Sequence, residues 1–258
     1  MATARLRPWQ QRSGWGRRSL SWPSMVAISP AQLQTLPLFA SLTIDQCTQL
    51  LDRHLELGHG PEQVFVMEQD WGECLFVLRS GLAKVRSYSA AGDEVVLSVL
   101  GEGDVFGEMA VLDDAPRSAD VVALTPVTVL KLRALPFQAL VQQQAGFALA
   151  LAQLEAARLR DLNQRFAIQA NDATTRMLHA LAYLARRSSV TQDVQAPIPA
   201  LAQRELGLLA GLARETASRT LSKLRTRGTI ECLVDGGWRI ADLQPLVKRG
   251  LLPPGVGR

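Results

Sequence analysis

Between Val64 and Leu132 the chain breaks into short runs of β-branched and apolar residues: Val64–Met67, Cys74–Arg79, Ala83–Ser87, Glu94–Leu100, Asp120–Ala123 and Val127–Leu132. Gly72, Gly81, Gly92, Gly101 and Gly103 punctuate them, where a chain that reverses direction tightly favours a residue without a Cβ. Runs of this length with glycine at the corners predict an antiparallel barrel or jelly roll.

The pattern changes on both sides. From Pro30 to Leu55, Leu33, Leu36, Leu38, Phe39 and Leu42 read as short helices, with Thr43 as N-cap and Gln46 completing a capping box. From Leu135 to about Ala170 helix formers dominate, and Leu151, Leu154, Leu159, Leu162 and Phe166 recur as one apolar stripe, so one long helix is expected. Arg158 and Asp161 interrupt an ideal heptad. After Asn171, Thr175–Arg187 is helix-like and a proline-containing loop, Ala196–Pro199, follows. Leu201 to Leu224 then holds two helix-length segments around a tight turn at Gly211, with Leu206, Leu209, Leu212, Ala217, Leu221 and Leu224 inward, which is the pattern of a helix-turn-helix. Gly228–Val234 and Trp238–Ala241, joined by Asp235-Gly236-Gly237, read as a β-hairpin wing.

The expected fold class is α+β, divided into an arm (1–28), a sensor domain (29–134), a helix (135–170), a DNA-binding domain (171–245) and a tail (246–258). Residues 1–24 carry five arginines and no acid and show no apolar periodicity, so they are read as a disordered basic arm; Met25 is an alternative start. Arg17-Arg18 invites an export reading, but no long apolar segment follows. Residues 25–170 are net acidic and 171–258 net basic, which puts the polyanion-binding surface at the C-terminal end. No apolar run reaches the roughly 18 residues of a membrane span, so none is expected. Cys47, Cys74 and Cys232 are too scattered for a disulfide framework or a metal cluster, and a reduced cytoplasmic protein is the simplest reading.

The chemistry concentrates in Phe106-Gly107-Glu108-Met109-Ala110 and, after a short variable stretch, Pro116-Arg117-Ser118-Ala119. A glycine admits a ligand to the backbone, a helical turn offers free amides to an anion, and arginine supplies a forked cation. A carboxylate only accepts hydrogen bonds, so Glu108 calls for hydroxyl donors such as those of a ribose. This cassette resembles the phosphate-binding segment of the cyclic-nucleotide-binding domain in the CRP/FNR (catabolite activator protein) family of bacterial transcription regulators. Gly81-Leu82-Ala83-Lys84-Val85 and the turn Gly101–Gly107 resemble the same domain, whereas Gln69 stands where the family turns with glycine. The resemblance implies Glu108 on the ribose 2′-hydroxyl and Arg117 on the cyclic phosphate, with Gly107 and Ser118 beside them and Met109 in the same ligand-binding set. An ion pair between Glu108 and Arg117 is the alternative arrangement of those residues.

The family's long helix pairs with its twin in a homodimer and closes over the base. Leu162-Asn163 stands where cyclic-AMP-responsive members have a Thr-Ser pair; leucine neither donates nor accepts, which leaves Asn163, or Asp161, to read a base edge. A cyclic nucleotide, cyclic AMP first, is the expected effector. Haem, another nucleotide or no effector at all remain open, although His54, His59 and His179 are isolated.

Arg214, Glu215, Ser218 and Arg219 open the second helix of the helix-turn-helix and resemble the family's base-reading residues, with Lys223 nearer phosphate. The resemblance implies palindromic double-stranded DNA with TGTGA-like half-sites and RNA polymerase as partners. Ala213 stands where Ser or Thr is expected as N-cap. No metal-ligand cluster, nucleophile elbow or P-loop suggests an enzyme.

Overall fold

The computed structural model describes residues 28–253; the basic arm and the Met25 start lie outside them, apart from Ile28. The chain begins with α1 (Pro30–Gln34) and α2 (Ile44–Leu50), each opened by a capping box, from Ser29 with Gln32 and from Thr43 with Gln46. Ile28, assigned in the sequence to the arm, is buried against this lead-in.

Eight strands follow: β1 (Leu55–His59), β2 (Val64–Val66), β3 (Cys74–Ser80), β4 (Ala83–Tyr88), β5 (Glu94–Leu100), β6 (Val105–Phe106), β7 (Asp120–Ala123) and β8 (Val127–Arg133), with the one-turn helix α3 (Glu108–Leu112) after β6. They form two antiparallel sheets, ordered β1-β8-β3-β6 and β2-β7-β4-β5. The helical reading extended to Leu55, but Leu55–His59 is a strand, pairing Leu57 with Val129. Its Leu-Glu-Leu-Gly-His sequence has too little β-branching to betray a strand without its partner. The two-residue β6 is likewise too short to carry a periodic signal.

Alternation along β3 and β8 decides how the layers stack. Phe76, Leu78, Val127 and Val129 point between the sheets, while Leu75, Val77, Leu130 and Leu132 point outward beneath the helical lead-in. Both faces are covered, which is why these strands read as continuous apolar runs.

The single helix expected from Leu135 is two helices, α4 (Ala134–Gln143) and α5 (Ala145–Ile168), broken at Gln144 with φ −118° and ψ 94°. Phe137 and Phe147 explain the break. In one straight helix their side chains would diverge by roughly 80°, yet both are buried edge-to-face in one core. Along α5, Leu151 is buried, Leu154 half-buried, and Leu159, Leu162 and Phe166 exposed, Phe166 at 82%.

The C-terminal part comprises α6 (Ala173–Arg187), α7 (Gln203–Ala210), α8 (Arg214–Thr226), β9 (Ile230–Cys232), β10 (Trp238–Ile240) and α9 (Gln244–Val247). Asp172 caps α6, and its ionised carboxylate accepts from the Thr175 hydroxyl and from the Thr174 and Thr175 amides, which holds its pKa below the usual range. Leu246 and Leu252 are buried in this core, so the expected tail packs on the domain as far as Leu252. The same core takes in Leu82 and Val99 of the sensor.

Candidate functional site: a ligand cavity and a nucleic-acid interface

Gly107 adopts φ 77° at the start of α3, a left-handed conformation that glycine takes without strain. A Cβ there would lie 2.6 Å from a guanidinium nitrogen of Arg117, and a Cβ on Gly72 would collide with the same group. Two glycines therefore clear a seat for one arginine. Arg117 is 5% exposed, donates to the carbonyls of Gly107 and Cys74 at 2.6 Å each, and lies over the Phe76 ring. No carboxylate is within ion-pairing distance of it among the described residues, so its charge is oriented by neutral oxygens and left uncompensated. Its backbone is fixed as well, since Gln69 donates to the Arg117 carbonyl from a left-handed φ of 68°. Gln69 thus makes a left-handed turn while bearing a side chain.

Glu108 is 2% exposed and pairs not with Arg117 but with Arg158 of α5, at 2.7 Å. Arg158 also binds Glu155 at 3.0 Å and donates to the Val105 carbonyl. The other carboxylate oxygen of Glu108, Oε2, is buried without a partner among the described residues. Burial pushes the Glu108 carboxyl up to about 7 against the pull of the Arg158 guanidinium. The ion pair between Glu108 and Arg117 is thus replaced by one between sensor and helix. Arg158, read in the sequence as a break in the heptad, is the residue that ties α5 to the cassette.

These groups line a cavity of about 360 Å³ beneath α5, together with Met109, Ser118, Leu159, Asp161, Leu162, Arg165 and Arg187. Asn163 is exposed and lies outside it, whereas Asp161 faces in. Leu97 and Ser98 of β5 close the wall. The ligand-binding set inferred from sequence therefore converges except for Asn163. Arg158, Arg165 and Arg187 are additions that no local motif announced.

In the C-terminal part, Gly211 takes φ 61° between α7 and α8, and Arg176 donates to the Ala210 carbonyl at 2.9 Å, fixing the turn. Leu206, Ala217, Leu221 and Leu224 are buried, which leaves Arg214, Glu215, Arg219 and Lys223 exposed on one helix and Ser218 half-buried beside them. None of these side chains forms an ion pair among the described residues. Ala213 is the N-cap of α8 and makes no side-chain capping bond.

Residues 59–144 match the family "Cyclic nucleotide-binding domain", and residues 175–249 match "Crp-like helix-turn-helix domain". The chain is 30% identical to the Cyclic AMP receptor protein of Thermus thermophilus over 195 residues, covering 75% of this chain and 88% of that one. It is 27% identical to the CRP-like cAMP-activated global transcriptional regulator of Mycobacterium tuberculosis, covering 70% and 82%. Among solved structures, FixK2 of Bradyrhizobium japonicum superposes with a TM-score of 0.66 at 20% identity, over 76% of this chain and 96% of that one. No helix among the described residues is long and apolar enough to cross a membrane.

Proposed function

The chain belongs to the CRP/FNR family of DNA-binding transcriptional regulators, and on that premise we propose that it acts as a homodimer whose hold on DNA is set by a cyclic nucleotide in the cavity beneath α5. The observation that carries this reading is Arg117, a buried guanidinium with no carboxylate partner among the described residues, beside a turn that two glycines keep clear. In that seat Arg117 holds the cyclic phosphate, assisted by Gly107 and Ser118. Glu108 accepts from the ribose 2′-hydroxyl through Oε2. Met109 and Leu162 give the base apolar contact, and Asn163 drops out of the ligand set of its own chain. Cyclic AMP is the candidate nucleotide because both relatives carry it in their names.

A ribose hydroxyl on Oε2 loads the same carboxylate that Arg158 holds through Oε1, so occupancy acts on α5, and the exposed stripe of Leu159, Leu162 and Phe166 is the surface that meets a second copy. In the dimer, two α8 helices enter successive major grooves of palindromic TGTGA-like half-sites. There Arg214, Glu215, Ser218 and Arg219 read base edges and Lys223 binds phosphate. The regulator works in the cytoplasm, on DNA shared with RNA polymerase. Calorimetric titration of cyclic AMP tests the reading: wild type is expected to bind, and Arg117→Ala to bind at least tenfold more weakly. A wild type that binds no cyclic nucleotide would overturn it.

A further inference from the structure

One wall of the cavity does not belong to the sensor. Arg187 sits at the last turn of α6, the first helix of the DNA-binding part, and still lines the cavity that holds Arg117 and Glu108. Its position there is built. Nη1 donates to both oxygens of Asp104, at 3.1 and 3.3 Å, and Asp104 also accepts from the Gly101 amide at 2.7 Å, so the carboxylate is locked into the turn after β5. The Arg187 carbonyl packs on Gly101 so closely that a Cβ there would collide with it.

The guanidinium lies 5.3 Å from the Tyr183 ring centre, as does that of Arg165, another cavity residue. Tyr183 is pinned in turn, its hydroxyl accepting from the Val99 amide at 3.1 Å and donating to the Val99 carbonyl at 3.3 Å. Nε and Nη2 of Arg187 make no hydrogen bond among the described residues. A positioned cation with two idle nitrogens thus borders the cavity from the DNA-binding side.

We propose that Arg187 is a ligand-contacting residue through which an occupied cavity acts directly on the DNA-binding domain of the same protomer, in addition to the route through the paired α5 helices. The nucleotide presents phosphate oxygens and ring nitrogens or carbonyls, all acceptors that a guanidinium with idle N–H groups can engage. A bound nucleotide then bridges the sensor at Arg117 and α6 at Arg187. A second tie holds the other side of the domain, where Lys84 of β4 sits between Glu94 of β5, at 2.6 Å, and Glu205 of α7, at 2.5 Å. With α7 held there, a contact at Arg187 changes how firmly the α6–α7 unit is seated and hence how α8 is presented. Linkage requires the effect to run both ways, so DNA raises nucleotide affinity by the factor by which nucleotide raises DNA affinity.

The inference rests on the nucleotide reading, and one experiment separates them. Affinity of the full chain for a palindromic duplex is measured with and without cyclic AMP and cyclic GMP, for wild type, Arg187→Met, Arg187→Lys and Tyr183→Phe, alongside calorimetric nucleotide binding and sedimentation. Arg187→Met is expected to bind nucleotide three- to tenfold more weakly, to remain a dimer, and to lose at least fivefold of the nucleotide-induced gain in DNA affinity. Arg187→Lys, which keeps the charge, recovers part of that gain, and Tyr183→Phe, which keeps the ring but not the Val99 bonds, loses part of it. Nucleotide affinity and gain unchanged in Arg187→Met would overturn this inference alone, whereas a wild type that binds neither nucleotide would overturn the nucleotide reading and this inference with it.

Discussion

Glu108 shows how one buried carboxyl couples protonation to fold and ligand. Its folded pKa, raised to about 7 by burial, lies above the ordinary carboxylate value of 4.5. The native state therefore holds the proton more tightly than the unfolded chain. The associated stability is complete below about pH 4.5 and is lost as pH rises through 7. Glu108→Gln is expected to remove this dependence. Between pH 5 and pH 8 the wild type should lose about 2 kcal/mol, or roughly 5 °C in Tm, relative to the variant. His59 and His179 are both pushed down by burial, but they are common to both proteins and cancel in the difference. Parallel melting curves across pH 5–8 would contradict the assignment. At the other end of the chain, Arg214→Ala is expected to lower affinity for a TGTGA-like site by about 1–3 kcal/mol and to leave random duplex binding nearly unchanged. Equal losses on both duplexes would place Arg214 on phosphate.

Among the elements, α8, the proposed recognition helix, starts without a side-chain cap. Ala213→Ser should supply the missing acceptor and raise stability by about 1 kcal/mol, seen as roughly 2–4 °C in Tm. On α5, Leu159→Glu with Phe166→Glu should turn the proposed dimer into a monomer in sedimentation and weaken palindrome binding more than half-site binding. Helices and strands with a repeating pattern were legible in the sequence: Glu94–Leu100 and Asp120–Ala123 have the observed bounds, and Gly211 marks the helix-turn-helix turn. What escaped has no local signature. The strand Leu55–His59 exists because β8 is there to receive it, and the break at Gln144 exists because two phenylalanines share one core. The cavity divides in the same way. Gly107, Glu108 and Arg117 fall within one contiguous cassette, whereas Arg158 and Arg187 reach it from helices whose sequences say only that they are helical.

For the molecule as a whole, sensor and DNA-binding part share apolar core and charge. Leu82 and Val99 lie in the core of the C-terminal part, and Lys84, 4% exposed, is the cation between its Glu205 and the sensor's Glu94. Lys84→Met would leave Glu205 without its cation and take from Glu94 one of its three, and is expected to destabilise the chain by about 3–5 kcal/mol. It should also split a single calorimetric unfolding transition of the wild type into two. Two transitions in the wild type would show that the parts melt independently.

The cluster has a consequence for exchange of parts between related chains. Arg86 joins Glu94 at 3.6 Å and Asp120 at 3.2 Å, and Arg204 joins Glu94 at 2.7 Å, so three cations and three carboxylates drawn from both halves balance as one set. A foreign DNA-binding half grafted after α5 inherits Lys84, Arg86, Glu94 and Asp120 and must bring its own counterparts to Arg204 and Glu205. Because the sensor's four groups already balance among themselves, a half that brings only one of the two leaves an uncompensated charge at the seam. The seam between the two halves, simple to draw in the sequence, is therefore a matching code that only compatible halves can close.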